Sequence, residues 1–185
     1  MNNIALYCGS FSPLHNGHIK IINEVLKQCL VDKVIVVATF DYWNKKISIP
    51  YEVRLKCLKT IENENIIIDD DINDSKSSST YELLKKLEKK YPDCQFKLVL
   101  GADNLASFSL WINYKYLLEH YPFIIMKRND YDIESKMKEL NKKVYVILDC
   151  EQYDVSSTFI RNNINNHLLI KDLLPEEVLK ILKAN

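Results

Sequence analysis

The chain has 185 residues, 47% of them hydrophobic, and its 25 Lys and Arg balance its 25 Asp and Glu to a formal net charge of zero. That length suits one well-buried domain of the usual roughly 100 to 200 residues, so a single domain over residues 1–185 is expected. The charge balance, without any long Lys or Arg block, speaks against a nucleic-acid binder. No apolar run approaches the ~18 residues of a membrane span and no cleavable leader is recognisable, while five widely spaced cysteines without a C-x-x-C pair suit a reduced, cytoplasmic protein.

The apolar run Ile4 to Cys8 predicts a first buried strand, followed by the loop Gly9-Ser10-Phe11-Ser12-Pro13-Leu14-His15-Asn16-Gly17-His18. Asn16 is the expected N-cap of a helix running to about Gln28, with Ile19, Ile22, Val25 and Leu26 at helical spacing. Val34 to Ala38 is a continuous apolar run, as in a parallel strand covered on both faces. The polar stretch Thr39 to Ile49 is then a loop, and Pro50 suits the first turn of a helix carrying Val53, Leu55, Leu58 and Ile61.

Ile66 to Ile68 reads as a short third strand. The acidic, serine-rich stretch Asp69 to Ser78 reads as a solvated loop rather than a metal site. Ser79 and Glu82 have capping-box spacing for a helix with Leu83, Leu84 and Leu87 inward, stopped by Pro92. Phe96 to Leu100 is a fourth strand ending in Gly101-Ala102-Asp103-Asn104, followed by a helical segment through Leu105 and Leu110 to Leu118. Phe123 to Met126 is a strand, Ile133 to Leu140 a weak helix, and Val144 to Leu148 the last strand. Ser156-Ser157-Thr158 opens a short helix carrying Arg161, and Pro175 opens the final one.

Strands alternating with helices point to a doubly wound parallel α/β sheet, whose ligand crevice lies beyond the carboxyl ends of the strands. On that rim the sequence puts His15 and His18, Lys45 and Lys46, Asp103, and Ser156 to Arg161. A strand feeding a tight loop and a helix presents unpaired N–H groups where an anion is favoured, and two imidazoles lie beside those donors. A metal would require at least a third ligand, and His120 and His167 lie in unrelated segments. The loop is neither a Walker loop, which ends in G-K-S or G-K-T, nor a dinucleotide-binding G-x-G-x-x-G. Three glycines in the whole chain, Gly9, Gly17 and Gly101, mark positions for turns or close backbone approach.

The opening loop resembles the G-x-F-x-P-x-H-x-G-H motif of the nucleotidylyltransferase superfamily, and Val155-Ser156-Ser157-Thr158-Phe159-Ile160-Arg161 is similar to its I-S-S-T-x-I-R. Leu100 to Leu105 with Trp111, and Ser79-x-Tyr81-x-Leu83 ahead of Lys89-Lys90-Tyr91-Pro92-Asp93, resemble the bacterial nicotinate mononucleotide adenylyltransferases. The similarity extends nearly to the end, through Leu174 to Val178.

The resemblance implies a Rossmann-like sheet of five to six strands with helices on both faces. It implies transfer of AMP from ATP to nicotinate mononucleotide, with pyrophosphate released and Mg2+ held mainly by phosphates and water. His15, His18 and Arg161 would be the catalytic groups. Gly9, Ser10, Phe11, Lys45 or Lys46, Ser156, Ser157 and Thr158 would hold ATP phosphates. Gly101 and Asp103 would bind nucleotide ribose, Trp111 would stack on the pyridine ring, and N–H groups near Thr80 and Ile112 would meet the nicotinate carboxylate. Read without the resemblance, Trp111 could simply be core, and Arg161 on a short helix would more often be a surface charge.

Three departures bear on the acceptor more than on the reaction. Cys8 stands where the superfamily often has a second glycine, the loop from Phe40 to Lys46 lacks a proline-proline-histidine-lysine run, and Glu82-Leu83 replace an Asp-Thr pair. Other acceptors, such as nicotinamide mononucleotide, phosphopantetheine or a sugar or glycerol phosphate, stay open, as does a nucleotide-sensing module without turnover.

Overall fold

The computed structural model describes residues 2–28, 30–40, 47–71, 79–127, 131–148 and 155–184. Strands β1 (Asn2–Gly9), β2 (Lys33–Ala38), β3 (Ile66–Ile68), β4 (Cys94–Gly101), β5 (Phe123–Met126) and β6 (Tyr145–Leu148) form one six-stranded sheet in the order β3-β2-β1-β4-β5-β6. Every neighbouring pair is parallel. Parallel strands need crossovers, and helices supply them: α1 (Asn16–Lys27), α2 (Tyr51–Lys59), α3 (Thr80–Lys90), α4 (Ala102–Leu105), α5 (Tyr114–His120), α6 (Ile133–Glu139), α7 (Ser157–Asn162), α8 (His167–Ile170) and α9 (Glu176–Lys183).

The two-residue period of a strand divides the core between the faces of the sheet. Ala5 and Tyr7 of β1, with Val34 and Val36 of β2, face a cluster built from Ile22 and Val25 of α1, Leu58 of α2, Ile160 of α7 and Val178 of α9. Ile4, Leu6, Ile35 and Val37 face the opposite cluster, which holds Leu83, Leu84 and Leu87 of α3, Leu105 of α4, Leu117 of α5 and Met137 of α6. Such strands are apolar on both sides, which is why they read as unbroken hydrophobic runs. No helix among the described residues is long and apolar enough to cross a membrane.

All six expected strands are present, and the capping box of α3 forms as its spacing predicts: Glu82 N–H donates to Ser79 Oγ at 3.2 Å and Ser79 N–H to Glu82 Oε2 at 2.7 Å. Four local expectations are corrected. The N-cap of α1 is His15 and not Asn16; Asn16 begins the helix and is held from outside it, its N–H donating to Leu173 O at 2.9 Å and its side-chain amide to Asp172 O at 3.0 Å. Pro50 and Pro175 stand just before the first turns of α2 and α9 rather than within them. The segment from Leu105 to Leu118 is not one helix but α4, a 3-10 turn over Phe108–Leu110 and α5, interrupted at Asn113, whose φ of 53° lies in the left-handed region that Asn tolerates. Asp69 is buried rather than solvated: its carboxylate is paired with Lys90 Nζ at 2.8 Å, because it leaves β3 pointing at the end of α3.

Candidate active site

In the order β3-β2-β1-β4-β5-β6 the direction of winding reverses beside β1, so the crevice of a doubly wound sheet falls between the carboxyl ends of β1 and β4. The two strands run in register, Tyr7 opposite Val99, and each ends two residues later, at Gly9 and Gly101.

The loop leaving β1 turns on Phe11, whose φ is 43°. None of the described glycines has a positive φ; Gly9 is needed for another reason. A Cβ at position 9 would lie 3.2 Å from Cε2 and Cζ of Phe11, which folds back over it. The Phe11 ring is itself wedged, edge-on to Tyr7 at 5.2 Å and to His18 at 4.9 Å, and it is 1% exposed. The scaffold under the histidines is therefore aromatic and tightly packed.

His15 and His18 are both buried, with their rings stacked at 3.7 Å. The backbone N–H of His15 donates to Nδ1 of His18 at 3.3 Å, so the neutral His18 ring carries its proton on Nε2. That bond also satisfies a backbone donor at the start of α1, where the first N–H groups of a helix lack internal partners.

The second motif reaches this loop. Arg161 Nη1 donates to the carbonyl of Ser12 at 2.7 Å while Nη2 donates to Thr158 Oγ1 at 2.9 Å, and Ser157 Oγ donates to Pro13 O at 3.4 Å. Ser156 caps α7, its Oγ accepting from Phe159 N–H at 3.1 Å. A guanidinium, two imidazoles and several hydroxyls thus gather at the end of β1. Among the described residues the Ser12 and Thr39 hydroxyls are buried without a protein hydrogen-bond partner, which leaves polar capacity there for an anion or ordered water.

On the β4 side, Gly101 and Ala102 are buried and Asp103 is exposed in the first turn of α4. Trp111 is half-buried against Phe108, ring centroids 5.0 Å apart, and the following Ile112 is exposed. Trp111 and Tyr81 pack on the same core cluster, so Thr80, the first residue of α3, shares the face of the sheet that holds Trp111. The contacts join His15 to His18, and Ser157 and Arg161, with Thr158 on the Arg161 fork, to the Ser12 and Pro13 carbonyls of the loop that leads to the histidines. Gly101, Asp103, Thr80, Trp111 and Ile112 are related to them through the adjacency of β1 and β4. Lys45 and Lys46 lie outside the described residues.

One residue absent from the sequence-based set belongs to the site's frame. Arg54 of α2 is 2% exposed, and its guanidinium donates to Ser10 O at 2.6 Å, Thr39 O at 2.8 Å and Ile49 O at 3.1 Å. No signal within its own segment separates it from a solvent-facing arginine, since Val53, Cys57 and Leu58 already supply the apolar face of α2. Cys8 is partly buried against the second cluster, and desolvation pushes its thiol up to about 12, which disfavours the thiolate. No group of three or more His, Cys, Asp or Glu able to hold a metal occurs among the described residues.

A doubly wound sheet with a donor-rich loop at its switch point defines a nucleotide-binding α/β protein. A model of the cytidylyltransferase-like family matches residues 6–163, from β1 through α7 and so across both motifs. A Fusobacterium nucleatum protein named "Probable nicotinate-nucleotide adenylyltransferase" is 37% identical over 186 residues, 97% of this chain and 96% of that one. A Clostridium novyi protein of the same name is 32% identical over 189 residues, 96% and 94% of the two. Among solved structures, Plasmodium falciparum nicotinic acid mononucleotide adenylyltransferase complexed with NaAD matches with a TM-score of 0.84 at 22% identity, over 100% of this chain and 96% of its own, a likeness of fold. The chain belongs to the cytidylyltransferase-like family, alongside proteins named nicotinate-nucleotide adenylyltransferase.

Proposed function

We propose that this protein transfers the adenylyl group of ATP to nicotinate mononucleotide, yielding nicotinate adenine dinucleotide and pyrophosphate. The observation that carries the proposal is the bond from Arg161 to Ser12, which joins the second motif to the loop of the two histidines. Relatives at 37% and 32% identity bear the name of this activity over nearly their whole length.

Adenylyl transfer needs no enzyme nucleophile. A phosphate oxygen of the mononucleotide attacks the α-phosphorus of ATP, a new P–O bond forms, the α–β bridging P–O bond breaks, and its electron pair leaves with pyrophosphate. Catalysis is then alignment plus stabilisation of charge on the phosphoryl oxygens. His15 and His18 meet the triphosphate and the transferred phosphoryl group, His18 as a neutral donor through Nε2–H. Arg161, with Ser156, Ser157 and Thr158, holds the departing pyrophosphate, and Gly9, Ser10 and Phe11 shape the loop beneath it. By analogy with oxyanion-hole donors, each well-placed group supplies roughly 3 kcal/mol of transition-state stabilisation.

The described donor set is that of an anion site rather than a magnesium cage. We take the nucleotide substrate to be MgATP, whose ion would be held mainly by phosphate oxygens and water. Gly101 and Asp103 bind ribose, Trp111 stacks on the pyridine ring, and the N–H groups at Thr80 and Ile112 meet the nicotinate carboxylate. One of Lys45 and Lys46 reaches the phosphates.

The test is direct. Purified protein with MgATP and nicotinate mononucleotide releases pyrophosphate and dinucleotide in equal amounts. Turnover with phosphopantetheine, and none with either nicotinate or nicotinamide mononucleotide, would replace the acceptor; no turnover with any would leave only nucleotide binding.

A further inference from the structure

We infer that Arg54 is a positioning residue for the phosphates of the nucleotide, acting through the backbone of three segments and not by touching substrate. This rests on the adenylyl-transfer proposal and extends it to a side chain that neither motif contains.

The three carbonyls that Arg54 holds have a common relation to the site. Ser10 lies between Gly9, where β1 ends, and Phe11, where the loop makes its left-handed turn. Thr39 is the first residue after β2, and Ile49 the last before the N-cap of α2, so the guanidinium grips both ends of the connection from β2 to α2. Thr39 is doubly engaged: its N–H donates to Gly9 O at 2.9 Å while its carbonyl accepts from Arg54. The loop that carries the histidines is in this way tied, through one group, to Thr39 and Ile49 at the two ends of that connection.

Only a guanidinium can do this, because its five N–H donors lie in one rigid plane and point in diverging directions. The plane is also held in place. Arg54 Cζ lies 5.4 Å from the centroid of the Tyr51 ring, and Tyr51 is in turn stacked on Phe40 at 4.1 Å with an interplanar angle of 18°. Burying a charge is costly, and a helix face shared with Val53, Cys57 and Leu58 would accept an aliphatic side chain at far lower desolvation cost. What the arginine adds over an aliphatic residue is a fixed spacing between the two loops, together with a cation behind the one that receives a polyanion.

Arg54→Lys and Arg54→Gln test the inference, with MgATP affinity measured by calorimetry in the absence of acceptor and KM and kcat measured for both substrates. We expect folded variants that bind MgATP at least tenfold more weakly, with the mononucleotide KM within twofold of the parent and Lys unable to restore what Gln loses. Unchanged MgATP affinity, or equal shifts in both KM values, would overturn it. Should both variants fail to fold, the wild-type protein answers: the Arg54 Nε–H resonance should shift on addition of MgATP and not of mononucleotide, and an unmoved signal would count against the clamp. MgATP binding reports on the clamp, whereas wild-type turnover with nicotinate mononucleotide reports on the underlying proposal, so the two fail separately.

Discussion

Arg161 and Ser12 stand 149 residues apart in the chain and are joined by a 2.7 Å hydrogen bond from the guanidinium to the serine carbonyl. That contact brings a helix from beyond the last strand onto the loop that follows the first. The Arg161 fork is divided between Ser12 O and Thr158 Oγ1, and a lysine ammonium cannot reproduce that planar pair of donors. Arg161→Ala and Arg161→Lys should therefore each lower kcat/KM for MgATP by about 100-fold, with the lysine no better than the alanine. Steady-state kinetics at saturating mononucleotide measures it; near-normal activity in the lysine variant would reduce Arg161 to a simple positive charge.

His18 accepts the His15 N–H at Nδ1 and so carries its proton at Nε2. His18→Ala should lower kcat by about 100-fold or more with a small change in KM, as for loss of a donor used chiefly in the transition state. Nitrogen NMR of the wild-type ring should show the Nε2–H tautomer at neutral pH. A protonated Nδ1 there, or an undiminished kcat in the variant, would remove His18 from this role.

Trp111 rests on Phe108 with part of its surface open to solvent. If that surface receives the pyridine ring, Trp111→Ala removes a stacking contact worth about 1 to 3 kcal/mol. The mononucleotide KM should then rise about tenfold or more while the MgATP KM stays put. A fall in melting temperature with both KM values unchanged would make Trp111 a core residue only.

Lys142 lies away from the site, 6% exposed, its ammonium donating to the carbonyls of Leu118 and Tyr121 at the end of α5 and facing the Phe123 ring at 4.3 Å. Desolvation pulls its pKa from 10.5 down to about 8. Below pH 8 the group is charged folded and unfolded, and the full burial cost is present. Between 8 and 10.5 the unfolded chain holds a proton that the folded one has released, so stability rises with pH. Against Lys142→Met, which has no such titration, the wild type should gain about 1 to 3 kcal/mol between pH 7.5 and 10. Denaturant melts of both proteins at the two pH values measure it, and a constant difference between them would refute it.

The strands were legible because a parallel strand covered on both faces must be apolar throughout, and a run such as Val34 to Val37 can do little else. The two motifs were legible because each fixes residue types at a fixed spacing, and the Ser79 and Glu82 pair because capping is local. Sequence reasoning erred where longer-range packing decided the outcome. His15 takes the N-cap from Asn16 because Asn16 is drawn to the Asp172 and Leu173 carbonyls just ahead of α9. Asp69 is buried because Lys90, at the far end of α3, arrives to pair with it.

The amino-acid sequence by itself determined the α/β class, the order of the strands and the spacing of the two motifs, since all three follow from periodicity and from residue types within a few positions. Only the tertiary structure decided that Arg161 meets Ser12 and that Arg54 is interior and bonded to Ser10, Thr39 and Ile49. An arginine on a short helix has the same local signature whether it faces water or a ring of carbonyls. Which of the two it faces is set by the strands that the folded sheet brings beside it.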